Sequence, residues 1–152
     1  LEAGEADPAP SSFNAVLAEN AVRDMAQVAA ALVLNSESVV DARPSARFDG
    51  AAPEPRQGLA RGHMPGARNL PIDRLVDAAD GRLVSPERIR EEFQAAGVDL
   101  SVPIVTTCGS GVTAALLLFA LARIGKHDVA LYDGSWAEWG ARRDNPIATG
   151  PA

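Results

Sequence analysis

The chain has one cysteine, two histidines and fewer basic than acidic residues, and each shortage closes off a class of function. With Cys108 as the sole thiol, neither an internal disulfide nor a multi-thiolate metal site can form. His63 and His127 stand apart, outside any spacing that ligates a metal. Lys and Arg number 14 against 20 Asp and Glu, a formal charge of -6, and the basic residues are scattered, which argues against an electrostatic nucleic-acid surface. No run of about eighteen apolar residues is free of charge, so no membrane span is expected. The start has no basic segment leading into an apolar one, so no signal peptide is expected either. A single unpaired thiol fits a reducing compartment, and a cytoplasmic location is expected. The chain begins with Leu1 rather than Met, as a fragment or a processed product would.

What is present suffices for one core. At 152 residues and 47% apolar the chain can enclose a single compact domain. Leu1 to Ser12, rich in Ala, Pro, Glu and Gly without an apolar period, reads as a linker or a poorly ordered lead-in. From Val22 to Val33 apolar residues recur at helical spacing, and the helix should end near Asn35. Ser38 to Ala42 reads as a buried strand, with Asp41 at its carboxyl end bracing the next loop. Pro44 to Pro65 is irregular and long, a length that marks a loop as functional or disordered. Its Arg47 and Arg56 could be solvated, or could fold back to aim two guanidinium forks at one carboxylate. His63, ahead of Pro65-Gly66, is expected to pin the turn by hydrogen bonds, and Ala67 to Leu70 to form a short strand.

Ser85-Pro86-Glu87 signals a helix start, with the helix running to about Ala96 before Gly97. Ile104 to Thr107 reads as the central strand, Gly111 to Ile124 as the helix behind it, and Val129 to Tyr132 as another strand. Ser135 is expected to cap a short helix carrying Trp136 and Trp139, which share a face and belong to the core. Strands alternating with helices at these lengths give an α/β fold, a parallel sheet with helices on both faces.

Cys108 falls where the central strand stops and the glycines begin, the edge at which open α/β sheets place their ligands. Gly109 and Gly111 allow the loop to turn successive N–H groups inward, and the following helix presents its positive end. Both favour a thiolate at Cys108. The residue type alone leaves a second reading open, since free cysteines commonly serve as small buried hydrophobes.

Cys108-Gly109-Ser110-Gly111-Val112-Thr113-Ala114 resembles the active-site loop of the 3-mercaptopyruvate sulfurtransferases. Arg47-Phe48 with Pro53-Glu54-Pro55-Arg56, Gly62-His63-Met64-Pro65-Gly66-Ala67, and Tyr132-Asp133-Gly134-Ser135-Trp136-Ala137-Glu138-Trp139 resemble the other signatures of rhodanese-type domains. The resemblance implies a rhodanese-like fold with a five-stranded parallel sheet, residues 16–150 forming the catalytic domain and 1–15 an interdomain linker remnant. It implies that Cys108 is the nucleophile and carries a persulfide, that Gly109, Gly111, Val112 and Thr113 cradle it, and that Ser110 belongs to a proton relay. Arg47 and Arg56 match the family's substrate-binding arginines. No cofactor and no metal are implied; the donor would be 3-mercaptopyruvate and the acceptor a thiol or cyanide.

In the family the relay histidine and aspartate come from an N-terminal rhodanese domain, which would be a partner absent from this chain and would leave the piece alone weakly active. Leu59 stands where an aromatic is common in the family. Relatives that prefer thiosulfate carry basic residues at the two positions after the cysteine; here Gly109 and Ser110 are neutral, which favours mercaptopyruvate. The alternatives are a thiosulfate sulfurtransferase and a non-catalytic or partner-dependent rhodanese module. A cysteine phosphatase would need an arginine six residues after the nucleophile, where Ala114 stands.

Overall fold

The structure, a computed structural model, describes residues 11–16 and 18–152. Of the expected linker, residues 1–10 lie outside the described residues, and 11–16 are exposed without regular structure. Helix α1 spans Met25–Leu34, and its start is fixed by a reciprocal cap: the Gln27 N–H donates to the Asp24 carboxylate at 2.8 Å while the Gln27 side chain accepts from the Asp24 N–H at 2.9 Å. It stops at Asn35, which takes the left-handed conformation that Asn tolerates well. Strand β1, Ser38–Asp41, follows, then one helical turn, α2, at Ser45–Phe48, where the sequence suggested only irregular chain. Next come β2 (Arg68–Asn69), α3 (Pro86–Ala95, with the Ser85 hydroxyl accepting from the Arg88 N–H), β3 (Ile104–Thr107), α4 (Val112–Arg123), β4 (Val129–Leu131) and α5 (Ser135–Trp139).

The strands are all parallel in the order β2-β1-β3-β4, four rather than the expected five among the described residues. The fifth position, beyond β4, is filled by a single bridge between Val22 and Leu131. It cannot lengthen because the chain turns into the Asp24 cap two residues later. Strand residues alternate between two apolar layers. Val40 and Ile104 face a core built with Leu70, Ile89, Phe93, Leu117 and Leu121, under α3 and α4. Val39 and Val105 face the other layer, with Val28, Phe48, Met64, Tyr132, Trp136 and Trp139, under α1 and α5. Both tryptophans are fully buried, as core packing requires, and their indole N–H groups donate to the carbonyls of Ala60 and Pro146.

From β1 the chain moves outward to β2, and from β3 it moves the opposite way to β4. The carboxyl ends of β1 and β3 therefore bound a crevice where the winding reverses, the place at which a parallel sheet opens a binding site.

Candidate active site

A cavity of about 400 Å³ occupies this crevice, lined from the β1 side by Ala42, Arg43 and Arg47 and from the β3 side by Cys108, Gly109 and Thr113. Cys108 is the first residue past β3 and only 2% exposed, its Cβ side against the apolar layer under α4. Its sulfur meets polar groups. The Ser110 N–H points at Sγ at 3.4 Å, and the Thr113 hydroxyl and the N–H groups of Thr113 and Ala114, at the start of α4, also favour its ionised form. Burial pushes the thiol up, but these donors outweigh it, and the pKa of Cys108 lies below its ordinary value. The sequence alternative of a cysteine acting as plain apolar filler does not fit a sulfur that accepts from the Ser110 N–H and whose ionised form its surroundings favour.

The loop holds this shape for reasons written in its glycines and in α5. Gly111 sits at the N-cap of α4 with φ 85°, and a side chain there would also run into the Asp133 carboxylate. At Gly109 an added Cβ would lie 2.9 Å from Nη2 of Arg47, so the bare backbone is what lets the guanidinium approach. On the far side, the first turn of α5 pins the loop from behind. The Trp136 N–H donates to the Cys108 carbonyl at 2.9 Å and the Ala137 N–H to the Gly109 carbonyl at 3.0 Å.

Ser135 corrects the sequence reading. Instead of capping α5, its buried hydroxyl accepts from the Cys108 N–H at 3.2 Å and donates to the Tyr132 carbonyl at 2.9 Å. It takes φ 52°, a costly conformation for a serine, which these two bonds and a third, donated by the Thr107 hydroxyl at 3.4 Å, offset. In sequence a serine before Trp-x-x-Trp looks like an ordinary helix start, and nothing local shows that its hydroxyl reaches back across the strand edge.

The cavity brings the two expected arginines to one place. Arg56, though exposed, turns its Nη1 back to donate to the Gly109 carbonyl at 3.3 Å, and lines the same cavity as Arg47. Arg47 is held by Glu54, which the sequence reading had treated only as part of a motif: both guanidinium Nε and Nη2 donate to its carboxylate. Glu54 in turn accepts from Arg43 Nη1 at 2.8 Å, and Arg43 Nε donates to Asp41 at 2.9 Å. A buried chain Asp41–Arg43–Glu54–Arg47 thus runs from the end of β1 to the cavity wall. Asp41 braces the loop as expected, accepting also from the Arg43 N–H.

Ser110 lies at the exposed rim, and its observed tie to the sulfur is through the backbone; Val112 is 76% exposed beside it. His63 is buried away from the cavity, donating from Nδ1 to the Phe48 carbonyl at 2.9 Å and stacking on the Phe48 ring, so it ties its segment to the end of α2, while the Pro65-Gly66 turn is closed by the backbone bond from the Ala67 N–H to the Met64 carbonyl. His127 lies at the opposite edge of the sheet, near the start of β4. Among the described residues no group of three or more His, Cys, Asp or Glu converges to hold a metal ion, and no helix is long and apolar enough to cross a membrane.

Thr113→Val keeps the shape of the side chain but removes the hydroxyl donor, so the thiolate loses one of its stabilising bonds. The midpoint of the pH dependence of Cys108 alkylation is expected to rise by about 1 pH unit, the equivalent of a single modest hydrogen bond to a charged group. An unmoved midpoint would assign the depression to the backbone amides alone.

The Rhodanese-like domain model matches residues 24–142. The chain is 44% identical over 147 residues to the 3-mercaptopyruvate sulfurtransferase of Escherichia coli K12, covering 97% of this chain and 52% of that protein. With the human 3-mercaptopyruvate sulfurtransferase it shares 42% identity over 152 residues, covering 99% and 51%. The crystal structure of SseA from Escherichia coli superposes with a TM-score of 0.72 at 40% identity, covering 89% of this chain and 49% of that one. The chain thus spans about half the length of the curated relatives it matches. On a family match that includes the crevice, the cysteine loop and both core layers, the chain belongs to the rhodanese-like domain family.

Proposed function

We propose that this domain transfers the sulfur of 3-mercaptopyruvate to a thiol or cyanide through a persulfide on Cys108. The observation that carries the reading is a thiol with a depressed pKa, facing a cavity whose wall presents Arg47 and Arg56. The Cys108 thiolate attacks the donor sulfur. The sulfur–carbon bond breaks, its electron pair leaves with the carbon as the enolate of pyruvate, and a proton completes pyruvate. Arg56 and the outer face of Arg47 hold the carboxylate, so the keto group that stabilises the enolate stays at the wall. The persulfide is left in the amide cradle that served the thiolate. An acceptor thiolate or cyanide then attacks the outer sulfur, and the sulfur–sulfur bond breaks with Cys108 leaving as a thiolate. The donors that lower its pKa make it the better leaving group. Gly109 and Ser110 add no positive charge, which favours this monocarboxylate over thiosulfate. The names and near-complete coverage of this chain by 3-mercaptopyruvate sulfurtransferases support the same choice.

The test is mass spectrometry of the domain after incubation with 3-mercaptopyruvate. The peptide carrying Cys108 is expected to gain one sulfur atom, and cyanide to remove it. Arg47→Ala and Arg56→Ala are each expected to slow the gain about tenfold or more, the cost of losing one charge-assisted carboxylate contact. Absence of any adduct, even with an added N-terminal rhodanese domain of a relative, would instead favour a non-catalytic module.

A further inference from the structure

The cavity wall carries more charged groups than a carboxylate needs. Arg43, Arg47, Glu54 and Arg56 all line it, and Asp41 stands directly behind Arg43. Four of these five groups neutralise one another. Arg43 is 1% exposed and pairs with both Asp41 and Glu54; Arg47 pairs with the other oxygen of Glu54, whose side chain is 2% exposed. Among the described residues Arg56 pairs with no carboxylate, and its Nη1 donates only to the Gly109 carbonyl. Gly109, Ser110 and Thr113 contribute no charge. Before the thiolate is counted, the wall has a formal charge of one positive unit, supplied by Arg56.

We infer that Glu54 determines the charge of the sulfur donor: by neutralising Arg47 within a buried ion chain it leaves one uncompensated cation in the cavity and restricts the donor to a monoanion. This rests on Cys108 being the sulfur-accepting nucleophile. A monocarboxylate with a neutral thiol matches the single free guanidinium. A dianion brings a second negative charge into a cavity that already holds the thiolate, with no cation left to meet it. Arg47 still donates hydrogen bonds from its free face, so it orients a carboxylate without adding net attraction. Placing the countercharge on a buried glutamate, rather than on a solvated acid, keeps it from being screened by salt.

Glu54→Gln tests this, because it keeps the shape and one acceptor oxygen but frees a positive charge at the wall. With cyanide as acceptor, the ratio of kcat/KM for thiosulfate to that for 3-mercaptopyruvate is expected to rise roughly tenfold or more, mainly through a lower KM for thiosulfate. Glu54→Asp, which retains the charge, is expected to keep the ratio of the unaltered protein. Loss of both activities in equal proportion would reduce Glu54 to a packing role and overturn the inference.

A second measurement needs neither a variant nor sulfur transfer: protection of Cys108 from alkylation in the unaltered protein by pyruvate, a monoanion, against oxalate, a dianion of similar size. Pyruvate is expected to protect at roughly tenfold lower concentration. Equal or better protection by oxalate would overturn the inference. A failure to form persulfide with either donor would sink the proposed function while leaving the anion preference to be read from this arm.

Discussion

Cys108→Ser is expected to lower sulfur transfer roughly a thousandfold or more while leaving the thermal midpoint nearly unchanged. The separation follows from what the sulfur touches. Its Cβ side packs against the apolar layer under α4, and a hydroxyl of similar shape fits there at a cost within about 1 kcal/mol, because the loop donors that reach Sγ can reach Oγ as well. Those same groups hold the Cys108 pKa below that of an ordinary thiol, yet an alcohol starts so much higher that no comparable set of hydrogen bonds can ionise it. An oxygen nucleophile would also have to form an oxygen–sulfur bond in place of a persulfide. Steady-state turnover with 3-mercaptopyruvate and cyanide, beside a melting curve, measures both halves. Residual turnover above about one part in a hundred would place the chemistry elsewhere.

How far the sequence alone led depends on how local each signal is. Ile104–Thr107 was legible to the residue, because β-branched residues ran straight into a glycine loop and a long apolar helix. Pro86 after Ser85 fixed the start of α3 for an equally local reason, since the cap is made within one turn. The fifth strand was not legible: whether Val22 extends into a strand depends on the Asp24 cap and on which edge β4 leaves open, and neither is a property of the segment itself. Of the site, Cys108, Gly109, Gly111 and the two arginines carried their own marks, and the cavity gathers all but Gly111, which caps α4 behind it. Glu54 and Ser135 did not. A glutamate between two prolines looks solvated until it is seen to accept from arginines seven and eleven residues earlier, next to the end of β1. A serine ahead of a short helix looks like a cap until its hydroxyl is found against the nucleophile's own N–H. What was missed is the set of contacts in which a polar group serves a residue beyond its own turn or cap.

Arg43→Met is the variant expected to damage stability most, by about 3–5 kcal/mol, with a fall in melting temperature of roughly 6–20 °C. Methionine fills much of the space over the Trp136 ring, where the guanidinium sits 4.3 Å from the centroid, so the loss comes from charge and hydrogen bonding more than from a cavity. Among the described residues Arg43 is the only group that binds Asp41 and Glu54 together, and it also donates to the Gly62 carbonyl at 2.9 Å. Removing it leaves two carboxylates buried with a single remaining guanidinium, Arg47, at the far end of the chain, and uncompensated buried charge costs more than the intact network gains. The exposed Arg82–Asp80 pair gives the control: Arg82→Met removes the same formal charge and is expected to cost under about 1 kcal/mol. If the two variants melt together, the chain from Asp41 to Arg47 contributes no more than a surface pair. If Arg43→Met melts far lower, the surviving folded fraction should also bind a carboxylate donor less well, raising KM, because Glu54 without Arg43 no longer has a fixed position from which to hold Arg47 against Gly109.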